Sequence, residues 1–161
     1  MAIALEETLR DLMRERRIKL ACAESCTGGL VSNRITNVSG SSEYFPGGIV
    51  AYSYEAKANL LGVSWETLNT FGAVSEETVR EMARGALKLF DSDIAISVSG
   101  IAGPTGGTPE KPVGTTWLGL VTKEEEWVRQ FVWNGDRDQN KHESSRAAIE
   151  FVIDYLEGNL G

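Results

Sequence analysis

Residues 18–38, "IKLACAESCTGGLVSNRITNV", decide how the chain must be built. The run "IKLACA" is almost wholly apolar, as a strand buried on both faces of a sheet requires. The pair Gly28 and Gly29 ends it, and "GLVSNRITNV" follows as a helix. A strand passing through a glycine turn into a helix is the start of a crossover connection. Such connections place parallel strands in one sheet with helices over its faces.

The segments on either side extend the pattern. Leu5, Leu9, Leu12 and Met13 share one helical face, which predicts an amphipathic helix over 3–17. After a turn-rich loop at 39–48, "GIVAYS" reads as a second strand over 48–53. "YEAKANLLG" is then a short helix closed by Gly62, and Ser64 opens another short helical turn. Residues 75–90 form the clearest helix, with Ser75 as N-cap and Val79, Met82, Ala83, Ala86, Leu87 and Phe90 on one face. "DIAISVSG" (93–100) is a β-branched strand. "TTWLGLVT" and "EWVRQFVW" make a hairpin whose Trp127 and Trp133 are core candidates, and a helix over 136–157 closes the chain. The expectation is an α/β fold in three layers, with helices packed on both faces of a mixed β-sheet. The 161 residues suit a single domain, 1–161.

Composition narrows the function. A net charge of −7 disfavours an extended nucleic-acid surface, so a small anionic ligand needs local donors. No apolar run approaches the ~20 residues that span a bilayer, and the N-terminus lacks a signal peptide's basic-then-apolar order. We therefore expect a cytoplasmic protein without nucleic-acid or membrane partners. Cys22 and Cys26 supply no disulfide framework and read as buried free thiols. With His142 the lone histidine, the chain cannot easily supply the four N or S ligands of a zinc site, and no metal is expected.

In sheets of this kind ligands gather at the carboxyl ends of strands. Three such ends are marked, "ESCTGG", "AYSYEAK" and "SGIAGPTGG". Ser25 at a strand end, followed by glycines and a helix, lies near free backbone N–H groups at Thr27, Gly28 and Gly29 that can hold a developing oxyanion. The same residues also make a tight turn with a Thr cap, and the motif alone leaves both readings open. Lys57 becomes a base only if burial or a neighbouring cation lowers its pKa, and an isolated lysine is ordinarily a solvated charge. A serine paired with a neutral lysine is nevertheless a nucleophile–base arrangement, and the Tyr52 hydroxyl can relay the proton between them. The connection "GIAGPTGGTPEKPVG" (100–114) is dense in Gly and Pro. It has the character of a loop that brings backbone close to a phosphate, although it matches neither a P-loop nor a Rossmann fingerprint.

Taken in order, "AESCTGG", "YSYEAK", "GAVSEETV", "SGIAGPTGGTPEKPVGT" and "GDRD" closely resemble the CinA C-terminal-domain family, the nicotinamide-nucleotide amidohydrolases. The resemblance covers residues 5–157. It implies hydrolysis of the carboxamide of nicotinamide mononucleotide to nicotinate mononucleotide and ammonia, a recycling step in pyridine-nucleotide metabolism, with no metal or cofactor. By motif, Ser25 is the implied nucleophile, Lys57 its general base and Tyr52 the orienting or relaying partner. Implied binding groups are Thr27, Gly28, Gly29, Ser99, Gly100, Ala102, Gly103, Gly106, Gly107, Lys111, Arg137 and Lys141. The stand-alone form of the family and a homodimer, with Trp65 or Phe71 at its interface, are expected. Two positions depart from the pattern: Tyr54 stands where relatives often have Asn, and Lys141 where they tend to have Arg. Arg146 is a substitute for that Arg or a surface ion-pair residue. Two rival readings remain, a Cys26 nucleophile with His142 as base, and a nucleotide-binding module without catalysis.

Overall fold

The computed structural model describes residues 4–160. Helix α1 (Leu5–Arg16) leads into β1 (Leu20–Glu24), α2 (Leu30–Thr36), β2 (Gly47–Val50), α3 (Tyr54–Leu61), α4 (Trp65–Phe71) and α5 (Glu76–Phe90). Strand β3 (Ile94–Gly100), the hairpin β4 (Thr115–Thr122) and β5 (Glu126–Val132), and α6 (Arg137–Leu156) complete the chain. The five strands form one sheet in the order β2-β1-β3-β4-β5. Strand β1 runs parallel to β2 and β3, and β4 and β5 are antiparallel additions. The fold is α/β with a mixed sheet and helices on both faces.

Alternation along the strands divides the core. Leu20 and Cys22 of β1, Ile94, Ile96 and Val98 of β3, and Leu118 and Leu120 of β4 pack with α1, α2 and α6. The opposite face carries Ala21, Ala23, Ala95 and Val121, and meets α3, α4 and α5. That second face is floored with small residues, so α5 lies close. A Cβ at Gly119 would stand 2.6 Å from the Val79 carbonyl, to which Ser97 Oγ donates a hydrogen bond. Gly85 serves the next layer in the same way, because a Cβ there would overlap the Leu61 carbonyl at the end of α3.

Helix starts follow their caps. Ser53, Ser64 and Ser75 accept from the amides of Ala56, Thr67 and Thr78, and Asp136 forms a capping box with Gln139. The differences from the sequence reading lie at element edges. The strand expected from Ile18 begins at Leu20 and runs on through Glu24, and the 39–48 loop contains a 3-10 turn at Ser41–Glu43. Strand β2 ends at Val50 because Ser53 is taken as the cap of α3. The first residue of the expected first helix, residue 3, lies outside the described residues. Trp127 and Trp133 are half-buried and pack on the core edge, where Trp133 Nε1 donates to Ser144 Oγ.

Candidate active site

Strand β1 delivers Ser25 at its carboxyl end, and the Ser25 amide extends the ladder by donating to the Val98 carbonyl. Just past the registered pair Glu24↔Val98, Ser25 therefore lies beside Ser99. From the other side, the Ser53 cap turns the chain into α3 and carries Lys57 back over the end of β1. Lys57 is 1% exposed, and its Nζ lies 2.9 Å from Ser25 Oγ. The same nitrogen donates to the carbonyls of Ala51 at 2.9 Å and Tyr52 at 3.1 Å. Burial opposes the ammonium form and lowers the Lys57 pKa to about 8. At that value a sizeable neutral fraction is present near neutrality, and Lys57 can take the Ser25 proton directly.

The Ser25–Lys57 contact revises the expected part of Tyr52. Its hydroxyl does not stand between the two; Tyr52 orients Lys57 through its carbonyl. The exposed Tyr52 ring reaches Arg137 instead, with Nη2 donating to the phenol oxygen at 3.4 Å. Arg137 also donates from Nη1 to the Gly103 carbonyl at 2.9 Å, so one guanidinium spans the β2–α3 connection and the long loop.

In the turn after Ser25, Gly28 donates its amide to the Ser25 carbonyl, which removes it from the expected oxyanion donors. Among the described residues the amides of Cys26, Thr27 and Gly29 have no acceptor in the chain. The φ values of +60° and +102° at Gly28 and Gly29 shape this turn. Glu24, fully buried, fixes it from behind: its carboxylate accepts from Thr27 Oγ1 at 2.6 Å and from the amides of Val31 and Ser32 at 2.9 Å each. Sequence reasoning missed Glu24, although an acid closing an apolar strand was visible in "AESC".

The long loop behaves differently from expectation. A Cβ on Gly100 would meet Thr116 Oγ1 at 2.6 Å, and one on Gly107 would meet the Val113 amide nitrogen at 2.7 Å; at Gly103 it would overlap Val113 Cγ1. These glycines admit the loop's own returning strand. Gly106 is exposed on the loop's outer part. Ala102 is held through its carbonyl by Asn140 Nδ2, whose side chain also bonds both backbone groups of Gly135. Asn140, 2% exposed, is a second residue the sequence did not reveal. Lys111 is drawn off to the end of α4, donating to the Phe71 carbonyl at 2.6 Å, so it leaves the expected anion site.

Lys141 remains available. Its Nζ lies near Gly28, and among the described residues it enters no ion pair. It lines a cleft of about 490 Å³ together with Thr27, Gly28, Gly29 and His142. A second cleft of about 500 Å³ lies between Ala102, Pro104, Val113 and Arg137, and the two meet at Asp138. Arg146 pairs with Glu143 and Glu150 on the surface of α6. Cys26 is buried, and burial pushes its thiol up to about 12, where the thiolate that a nucleophile requires is scarce. His142 is exposed on α6. Among the described residues no helix is long and apolar enough to cross a membrane, and no group of three His, Cys, Asp or Glu is placed to hold a metal.

Comparison with known proteins shows the family to which the chain belongs. Residues 2–156 match the family model described as the CinA C-terminal domain. A CinA-like protein of Kosmotoga olearia is 50% identical over 149 residues, covering 92% of this chain and 36% of the relative. One from Thermotoga maritima is 48% identical over 154 residues, covering 96% and 38%. The chain thus spans little more than a third of those relatives. Among solved structures, the competence damage-inducible protein A of Klebsiella pneumoniae superposes with a TM-score of 0.92 at 35% identity, over 95% of both chains. A competence/damage inducible protein of Agrobacterium tumefaciens gives 0.89 at 36%, over 98% and 99%.

Proposed function

Because this chain belongs to the CinA C-terminal-domain family, we propose that it is a Ser–Lys amidohydrolase acting on the carboxamide of nicotinamide mononucleotide. The observation that carries the reaction type is the 2.9 Å contact between a buried, pKa-lowered Lys57 and Ser25 at a strand end. The choice of substrate comes from the family resemblance.

Neutral Lys57 takes the Ser25 proton as Oγ attacks the carboxamide carbon. The negative charge that develops on the oxygen is met by the unused amides of Cys26 and Thr27. Collapse of the tetrahedral intermediate breaks the C–N bond, and the Lys57 ammonium gives its proton to the departing nitrogen, which leaves as ammonia. Water then attacks the acyl–Ser25 ester with Lys57 again as base, releasing nicotinate mononucleotide. Arg137 and Lys141, on either side of Asp138, are the cations offered to the 5′-phosphate. We further propose that the protein works in the cytoplasm in pyridine-nucleotide recycling, as a homodimer that covers exposed Trp65 and Phe71. Light scattering on the purified chain, where a monomer mass would reject the dimer, tests the assembly.

Ammonia release from nicotinamide mononucleotide, with chelator present, tests the chemistry. Wild type and Cys26→Ala should turn over, while Ser25→Ala and Lys57→Ala should not. Nucleotide binding by wild type without turnover would sink the amidase and leave a binding module.

A further inference from the structure

Glu24 makes no hydrogen bond or ion pair with Lys57, and the reaction above does not use it, yet it is a buried carboxylate one residue from the nucleophile. Its two oxygens collect four donors: Thr27 Oγ1 and the Val31 amide on Oε1, the Ser32 amide and Ser32 Oγ on Oε2. Those donors lie on both sides of the Gly28–Gly29 turn, so one side chain ties the end of β1 to the middle of the turn and to the start of α2. A buried carboxylate without donors would be strongly disfavoured, whereas four short bonds satisfy it without a counter-cation. Its own backbone is fixed as well, since the Glu24 carbonyl accepts from the Ala51 amide, just past β2 in the connection that leads to Lys57.

We propose that Glu24 is a positioning residue for the nucleophile, holding the Ser25–Gly29 turn in the one arrangement that leaves the Cys26 and Thr27 amides without internal acceptors while Ser25 Oγ meets Lys57. The inference rests on the Ser–Lys reading. Only a carboxylate suits the place. Glutamine would turn an NH2 toward at least one backbone N–H, so two donors would face each other, and aspartate is a methylene too short to keep both groups of bonds.

The test reads Ser25 itself, not amide turnover. An alkyl fluorophosphonate is attacked by Ser25 Oγ: the P–O bond forms, the P–F bond breaks, fluoride leaves and the serine proton passes to Lys57. Intact mass gives the rate. In Glu24→Gln, phosphonylation should slow by roughly tenfold or more, with circular dichroism unchanged and the pH midpoint of the rate unmoved, because the proton acceptor is the same. Thr27→Val and Ser32→Ala each remove one hydroxyl bond, should slow the reaction less, and decide the matter if Glu24→Gln fails to fold. Wild-type rates in all folded variants would overturn the positioning role and make Glu24 a purely structural residue. Wild type unlabelled at Ser25 would instead reject the Ser–Lys reading.

Discussion

In the turn after β1, Gly28 and Gly29 hold left-handed backbone, and a Cβ at either would find only ordinary contacts, with Lys141 Nζ at 3.7 Å and Val50 Cγ2 at 3.6 Å. In the connection between β3 and β4, Gly103 and Gly107 are closed in by Val113 of the same loop. Both segments are rich in glycine for different physical reasons. The first uses it to bend the chain around a serine and leave amides unpaired; the second uses it to fold a long loop onto itself. Glycine density therefore reports a close approach of backbone without saying whether the visitor is a ligand or the chain itself.

The largest effect expected from this contrast is on catalysis, and it falls on the first region alone. Ser25→Ala and Lys57→Met should each lower the amidase rate by about four orders of magnitude, with the double variant no worse than either, as for groups that act as a unit. Steady-state ammonia release checks this, and additive losses would break the pairing. Wild-type kcat/KM should rise with pH through about 8 as Lys57 loses its proton.

The same lysine makes the first region a stability cost. Folded Lys57 has its pKa lowered from 10.5 to about 8, so between those values the unfolded chain binds more protons than the folded one. Stability attributable to this group is accordingly lowest below pH 8 and rises towards pH 10.5, by an amount on the order of 3 kcal/mol. Urea unfolding of wild type and Lys57→Met at pH 7 and pH 10.5 measures it. Only the wild type should show this rise, and parallel profiles would mean that Lys57 keeps its charge when buried.

Alanine at the glycines separates the two regions by cause. Gly103→Ala should lose about 2–3 kcal/mol, because φ is +87° and the new methyl overlaps Val113. Val113→Ala in the same chain should return part of that loss. Gly28→Ala should cost about 1 kcal/mol from left-handed backbone alone, and Lys141→Ala should return none of it. Thermal unfolding of the four variants decides; equal rescue at both sites would erase the distinction.

Much of this was legible in the sequence. Ser64 and Ser75 located the starts of α4 and α5, Gly62 the end of α3, and a β-branched run β3, because those signals act within a few residues. Ser25 and Lys57 were legible as a pair because strand ends collect on one edge of such a sheet. The roles of Glu24 and Asn140 were not, since a buried polar side chain is explained only by donors and acceptors that folding gathers from elsewhere. Lys111 was misplaced for a related reason: nothing local to "PEKP" shows that the Phe71 carbonyl stands within its reach.

The smallest expected effect asks which region holds the substrate's anion. Arg137 is anchored on the loop side by the Gly103 carbonyl, while Lys141 stands over the turn at Gly28. A half-exposed ammonium facing a phosphate contributes little in salt, so Lys141→Gln should raise KM for the mononucleotide about threefold to fivefold, less at high ionic strength, with kcat nearly unchanged. Arg137→Lys keeps the charge and loses the planar fork that spans Gly103 and Tyr52. If it raises KM more than Lys141→Gln does, the anion rests chiefly on the loop side and the turn is left to chemistry. The reverse order would make the turn both the reaction centre and the phosphate holder. The loop would then be scaffolding, as the packing of Val113 against its glycines already suggests.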